Sequence, residues 1–254
     1  MLRIRVIPTL LLQGESLVKT KRFGSFTYIG DPCNTVRIFN ELEVDELIFL
    51  DISATKQKRP PNFELLQDIA NECFMPLAYG GGVAKLEDAK KIFQIGFEKV
   101  SLNYASLMTP ELVTQLSEYF GRQAVIASMD VKKNIFGKYQ VMSSNGKVQT
   151  GKSPIEWAKE LEALGAGEIL ITSIDREGSW AGFDINLVKQ VADSVSIPVI
   201  AHGGAGKVED IGSVVNEGNA SAVALVSMVV FQKQGMGVLV NHPCEEELGR
   251  LIKR

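Results

Sequence analysis

"GGVAKLED" (81–88) returns 122 residues further on as "GGAGKVED" (203–210), and this echo decides the architecture. The same shift pairs Pro76 with Pro198, Gly96 with Gly218 and Glu46 with Glu168. A constant offset over that span describes two like halves, about 1–122 and 123–232, followed by an irregular segment 233–254. Two separate doubly wound domains would also repeat, but no Pro/Gly/Ser-rich linker parts these halves. Short β-branched runs at 4–9, 46–51, 76–79, 98–103, 124–130, 167–173, 197–201 and 220–225 alternate with amphipathic stretches. Eight such βα units in 254 residues predict an α/β chain folded as a single (β/α)8 TIM barrel with an internal two-fold (β/α)4 repeat.

Helix starts are marked by Asp31, Thr109 and Ser153, each just before a proline. The segment "VKKNIFGKYQVMSSNGKVQT" (131–150) breaks the βα rhythm. Its alternation around Gly137 and its Asn145–Gly146 pair predict a hairpin. Because it follows the fifth strand, it is expected as a flap over the barrel mouth. "GMGVLVNHP" (235–243) is a poor helix, whereas 243–254 reads as helical.

Net charge −3 and a pI near 5.6 leave no basic footprint for nucleic acid or an anionic membrane surface. No apolar run reaches the roughly 18–20 residues of a spanning helix. "MLRIRVIPTLLL" lacks a cleavage pattern and reads as the first strand. Three widely spaced cysteines, Cys33, Cys73 and Cys244, suggest neither disulfides nor zinc. The expectation is a reduced, cytoplasmic protein with no metal and no cofactor.

In a barrel, chemistry sits at the C-terminal ends of the strands. The two glycine pairs, Gly81–Gly82 and Gly203–Gly204, fall there, each leading into a helix. Glycine lets backbone N–H groups come close to an anion. Two related pairs, with Asn103 and Ala224–Leu225 on the neighbouring strands, point to a ligand with a phosphate at each end. Leu225 offers that pocket no hydroxyl, and Tyr104 is bulky for it. Asp51, Asp130, Thr172 and Asp175 end other strands and together ring one opening, although each alone reads equally well as a turn carboxylate or cap. Lys19 is placed to pair with one of them or with a phosphate. His202 and His242 have no evident triad or ligand partner and read as turn and tail residues.

At the opposite end, strand parity puts Arg5, Ile7, Thr9 and Leu11 on one face, and likewise Lys99, Ser101 and Asn103. Ile126, Ser128 and Asp130 share a face, as do Glu168, Leu170 and Thr172. Facing inward, Arg5, Glu46, Lys99 and Glu168 would make a neutral floor. Taken alone, charges at strand starts read as ordinary rim charges.

"GDPCNTVRIFNELEVDELIFLDISA" (30–54), "YGGGV" (79–83), "EKVSLN" (98–103), "GAGEILITSIDREG" (165–178) and "AHGGAGKVED" (201–210) carry a resemblance. From residue 1 to about 232 the chain resembles the cyclase subunit (HisF type) of imidazole glycerol phosphate synthase. The resemblance implies phosphate sites at Gly81, Gly82, Asn103, Gly178, Gly203, Gly204 and Ala224, with Lys19, Asp51, Thr172, Asp175 and Glu177 around the ligand. It implies a HisH-like glutaminase partner on the N-terminal face, with ammonia passing through the barrel. The family's salt-bridge gate matches Arg5, Glu46, Lys99 and Glu168.

One position departs. Where the family carries a catalytic aspartate at the end of the first strand, this chain has Leu11, while Asp130 matches the second catalytic carboxylate. Leucine cannot exchange a proton, and losing a general acid or base typically costs on the order of 10²–10⁴ in rate. "IPTLLLQ" and "GVLVNHP" resemble a diverged branch, the AglZ/HisF-like acetamidino modification proteins. That likeness implies an ammonia conduit serving a separate sugar amidotransferase. The alternative is a working cyclase that tolerates Leu11. A third reading, a sugar-phosphate isomerase, also needs a carboxylate on the first strand and has no use for the charged floor.

Overall fold

β1 (Arg5–Gln13) runs from Arg5 through Val6, Ile7, Pro8 and Thr9 to three successive leucines. Both faces are buried for most of its length, as expected of a strand between a barrel interior and a helical layer. The computed structural model describes residues 4–252. Residues 1–3 and 253–254, the last two of the expected helix 243–254 among them, lie outside the described residues.

After β1 come a hairpin of β2 (Ser16–Thr20) and β3 (Phe26–Gly30), then α1 (Pro32–Glu41) and β4 (Leu47–Asp51). The chain continues through α2 (Phe63–Glu72), β5 (Leu77–Gly80), α3 (Leu86–Ile95) and β6 (Lys99–Leu102). A short α4 (Tyr104–Met108) and α5 (Glu111–Phe120) lead to β7 (Val125–Lys133), which turns back as β8 (Tyr139–Ser143) and β9 (Val148–Gln149). The remainder is α6 (Pro154–Ala163), β10 (Glu168–Ser173), α7 (Ile185–Ala192), β11 (Val199–His202) and α8 (Val208–Asn216). β12 (Ala222–Leu225), a short α9 (Ser227–Val230) and α10 (Glu245–Leu251) close it.

Eight strands pair in parallel in the order β1, β4, β5, β6, β7, β10, β11, β12, and β12 pairs with β1 again. The sheet is a closed (β/α)8 barrel, so all eight C-terminal strand ends share one mouth. Inside it, Ile7, Ile48, Ile126, Leu170 and Ile200 fill one layer around Ala78 and Ala222. The other strand faces and the helices form the larger outer core, which includes Leu12, Phe39, Phe49, Trp157 and Leu225.

The repeat is physical as well as textual. Asp88 Oδ2 accepts from the N–H groups of Ala84 and Lys85 at 3.1 and 3.2 Å, closing the start of α3. Asp210 Oδ2 does the same for Gly206 and Lys207 at 2.8 and 3.1 Å at the start of α8. Asn62 caps α2 as Asp184 caps α7. Of the three expected caps, Asp31 accepts from Asn34 N at 2.8 Å. Ser153 precedes α6 without a side-chain cap bond, and α5 starts behind Pro110 rather than on the Thr109 hydroxyl.

Two excursions cover the mouth. The flap is formed by β8 and β9, which hairpin back from β7. The β2–β3 hairpin on β1 has no counterpart among the sequence expectations. Segment 231–242 is irregular, with a bridge between Phe231 and Val238, backbone bonds from Leu239 N and Asn241 N to Val230 O and Val229 O, and His242 Nε2 3.2 Å from Val6 O. Among the described residues, no helix is long and apolar enough to cross a membrane, and no cluster of His, Cys, Asp and Glu could hold a metal ion.

Candidate functional site

At the N-terminal end of the barrel, four charges close a ring. Arg5 Nη1 is 2.8 Å from Glu46 Oε2, and Arg5 Nη2 is 2.5 Å from Glu168 Oε1. Lys99 Nζ completes it, 2.9 Å from Glu46 Oε1 and 3.2 Å from Glu168 Oε2. Each cation touches both anions, so all four carboxylate oxygens are used. Both glutamates are buried. Burial pulls the Arg5 pKa down, but Glu168 and Glu46 together outweigh it and hold the guanidinium above its ordinary value. These are not separate rim charges: strand parity turns all four toward the axis.

At the mouth, the same parity brings up Leu11, Asn103, Asp130, Thr172 and His202. Leu11 is buried in an apolar cluster with Val18 and Val226, flanked by Leu50 and Ile52. Asp130 lies on the far side of the mouth, four strands round from β1, and accepts from Asn103 Nδ2 at 2.9 Å. Burial pushes the Asp130 carboxyl up to about 6, against the opposing pull of hydrogen bonds from Asn103 and Thr172. Thr172 Oγ1 is also 3.0 Å from His202 Nδ1. Asn103, Asp130, Thr172 and His202 thus form one hydrogen-bonded arc over neighbouring strands.

Asp51 stands apart from this arc. In the β1–β4 register it lies beside Leu12 of the outer core, and its oxygens hold the loop that follows. Oδ1 accepts from Ser53 N, Ser53 Oγ and Ala54 N at 2.9, 2.8 and 3.0 Å, and Oδ2 meets Arg59 Nη2 at 2.6 Å.

The glycine pairs sit in equivalent turns. A Cβ on Gly81 would come 2.4 Å from Asp51 O, and one on Gly82 2.7 Å from Arg59 O. In the second half, a Cβ would lie 2.9 Å from Ser173 O at Gly203 and 2.2 Å from Gly182 O at Gly204. All four have positive φ, so glycine is required for backbone conformation as well as for space. A cavity at the second pair is lined by Lys19, Glu177, Gly178, His202 and Ala224. Leu225 does not face it; it belongs to the outer core, and Val226 is the apolar residue at the cavity wall. Tyr104, beside the first pair, is more than a third exposed.

The family model for "Histidine biosynthesis protein" matches residues 5–235. The chain belongs to this family. Within it, the chain is 49% identical over 243 residues to a Pseudomonas aeruginosa protein provisionally named imidazole glycerol phosphate synthase subunit hisF2, covering 96% of this chain and 97% of that one. A Leptospira borgpetersenii protein with the provisional name subunit HisF is 43% identical over 244 residues, 96% of each chain. The imidazole glycerol phosphate synthase subunit HisF of Alkaliphilus metalliredigens is 38% identical over 228 residues, 90% of each.

This HisF-type barrel has its mouth strapped across. Lys19 and Glu177 form a buried ion pair. Thr20 Oγ1 and Phe23 N each donate to the same carboxylate at 3.2 Å. Burial lowers the Lys19 pKa despite that partner. Arg22 N donates to Glu177 O at 3.0 Å, so the β2–β3 hairpin is tied to the loop after β10. Asp175 does not face the arc; its Oδ2 accepts from Lys133 N at 2.9 Å and steadies the base of the flap. The flap tip reaches the other way, with Asn145 Nδ2 3.0 Å from Ile52 O. The residue that pattern reading undervalued is His202. Its signal was parity with Ile200 on an inward strand face, directly before a glycine pair.

Proposed function

We propose that this barrel conducts ammonia within a glutamine amidotransferase assembly and does not itself run ring closure. The observation that carries the reading is Leu11. It is packed into an apolar cluster at the strand end where the resemblance places a carboxylate, while the charged ring at the other end is complete. Moving ammonia needs a gated, insulated interior, whereas acid/base chemistry needs two proton-exchanging groups. A glutaminase subunit docks on the N-terminal face around Arg5, Glu46, Lys99 and Glu168. Neutral ammonia passes the ring and travels by Thr9, Ser101 and Ser128 to the mouth. The glycine pairs, with Asn103, Gly178 and Ala224, seat the phosphates of a ligand there. The consumer is a separate sugar amidotransferase that forms an acetamidino group, as the resemblance of the first strand and the tail implies.

Asp130 favours a second reading, an active imidazole glycerol phosphate synthase cyclase. Its raised pKa suits a group that exchanges protons near neutral pH. The two readings separate in one assay, with the family's phosphoribulosyl substrate, excess ammonium salt and no glutaminase. The conduit reading expects no turnover from folded protein and turnover from Leu11→Asp. Turnover by the unmodified chain that is abolished in Asp130→Asn overturns it.

A further inference from the structure

His202 is one of two histidines in the chain, and the proposed function gives it no role. It ends β11 level with Thr172 on β10 and Ala224 on β12. Its Nδ1 is 3.0 Å from Thr172 Oγ1, and Thr172 lies level with Asp130 in the β10–β7 register, where its hydroxyl helps to hold the Asp130 carboxyl down. A hydroxyl has one proton to give. Given to the ionised carboxylate, it leaves the Thr172 oxygen to accept from Nδ1–H. The neutral ring then carries a bare lone pair on Nε2. That atom has no partner among the described residues, yet it is not sealed in the core, and the ring lines the cavity at the second glycine pair. Facing the same cavity, the backbone N–H groups of Gly178, Gly203 and Gly204 have no protein acceptor among the described residues.

The cavity therefore offers several donors and one acceptor. We propose that this anion site is proton-coupled: His202 Nε2 accepts a hydrogen bond from a phosphate P–OH while the glycine N–H groups bind its other oxygens, so the site selects protonated phosphate over sulfate. The proposal rests on the reading of Gly203–Gly204 as an anion site and adds a ligand-touching residue and a selectivity to it. A phosphate monoester monoanion brings the proton with it, as does inorganic phosphate, which keeps one P–OH even as the dianion; a monoester dianion has none and binds with uptake of one proton from solvent. Sulfate at neutral pH has no proton to give and meets Nε2 lone pair to lone pair.

The surroundings keep His202 neutral and ready to accept that bond. Burial, with a smaller push from the Lys19 ammonium, lowers the imidazole to about 3, so the ring is neutral before a ligand arrives. The charged groups facing it are Lys19 from β2, Glu177 from the loop after β10, and Asp130 from β7 through Thr172. β12 and α9 contribute only Ala224, Val226 and Ser227. Glu177 is already engaged by Lys19, Thr20 and Phe23.

The test is calorimetry of the full chain with methyl phosphate, a monoester, and with sulfate at about pH 8, in two buffers of different ionisation enthalpy, where the monoester is mostly dianionic. Imidazole NMR of histidine-labelled protein accompanies it, because only His202 and His242 then contribute signals. Methyl phosphate is expected to bind about tenfold or more tightly than sulfate, with uptake approaching one proton and a shift of the His202 resonances alone. In His202→Asn the side-chain amide still reaches Thr172 but leaves nothing at the Nε2 position. There the preference should fall to about twofold or less while phosphate still binds. Equal affinity for both anions in the unmodified chain, without proton uptake or a His202 shift, overturns the role of His202 and leaves the anion site standing. Binding of neither anion overturns both. The NMR arm needs no variant, so a misfolded His202→Asn does not rescue the proposal.

Discussion

Leu11 packs with Val226 at the barrel mouth, an apolar contact on the opposite side of the opening from Asp130. A carboxylate at position 11 would have to break into that cluster. Leu11→Asp should therefore lose about 2–4 kcal/mol at pH 7, from the lost packing and the burial of a charge. Urea unfolding measures it. A loss under about 0.5 kcal/mol would mean that the cluster opens readily to water.

Asp130 carries the opposite liability. Its folded pKa of about 6 lies above the ordinary 3.8, so between those values the folded state binds more protons than the unfolded chain. Its contribution to stability is present at low pH and is lost as pH rises through 6. Asp130→Asn should stabilise the protein by about 1–2 kcal/mol at pH 8, an advantage that fades below about pH 4. Unfolding free energies across that range check both sign and window. A variant less stable than the unmodified chain at pH 8 would show the carboxylate to be well satisfied.

The ring at the N-terminal end predicts leakage. Glu46→Ala leaves Arg5 and Lys99 with one carboxylate between them, and Lys99→Ala opens one corner. With a glutaminase subunit bound, both should lower product formed per glutamine hydrolysed, and free ammonium salt should restore product. Unchanged coupling would argue against passage through the ring. Because the cations are partly solvated, Glu46→Ala should cost about 1–3 kcal/mol, less than a fully buried pair.

Gly204 has φ 113, and a Cβ there would lie 2.2 Å from Gly182 O. Gly204→Ala should lose about 2–4 kcal/mol and abolish phosphate binding at this end. Calorimetry with the first glycine pair intact separates the two ends. Phosphate affinity unchanged in folded Gly204→Ala would place the anion elsewhere.

Much of this protein is legible locally. Period-two parity and a 122-residue echo suffice to derive eight strands, the barrel and which residues share a strand face, although Arg5, Lys99 and Glu168 taken alone still read as rim charges. Each of those assignments depends on alternation within one strand, which neighbours in sequence enforce. Parity also turns Asp51 outward beside Leu12, but a list of strand-end carboxylates read without register put it at the opening. Leu225 fails in the same way: one residue past Ala224, it faces the helices.

The sequence by itself determined the closed barrel, the places of the glycine pairs, and the loss of a carboxylate at Leu11. The first two follow from periodicity and turn chemistry, both properties of short stretches of chain; the third is what the resemblance to the HisF-type cyclase implies. Only the tertiary structure decided that Lys19 pairs with Glu177 across 158 residues and that Asn145 reaches Ile52 across 93. It alone placed His202 in one cavity with Lys19, Glu177, Gly203 and Gly204. Such contacts join loops from distant strands, and their partners become neighbours only when the barrel closes.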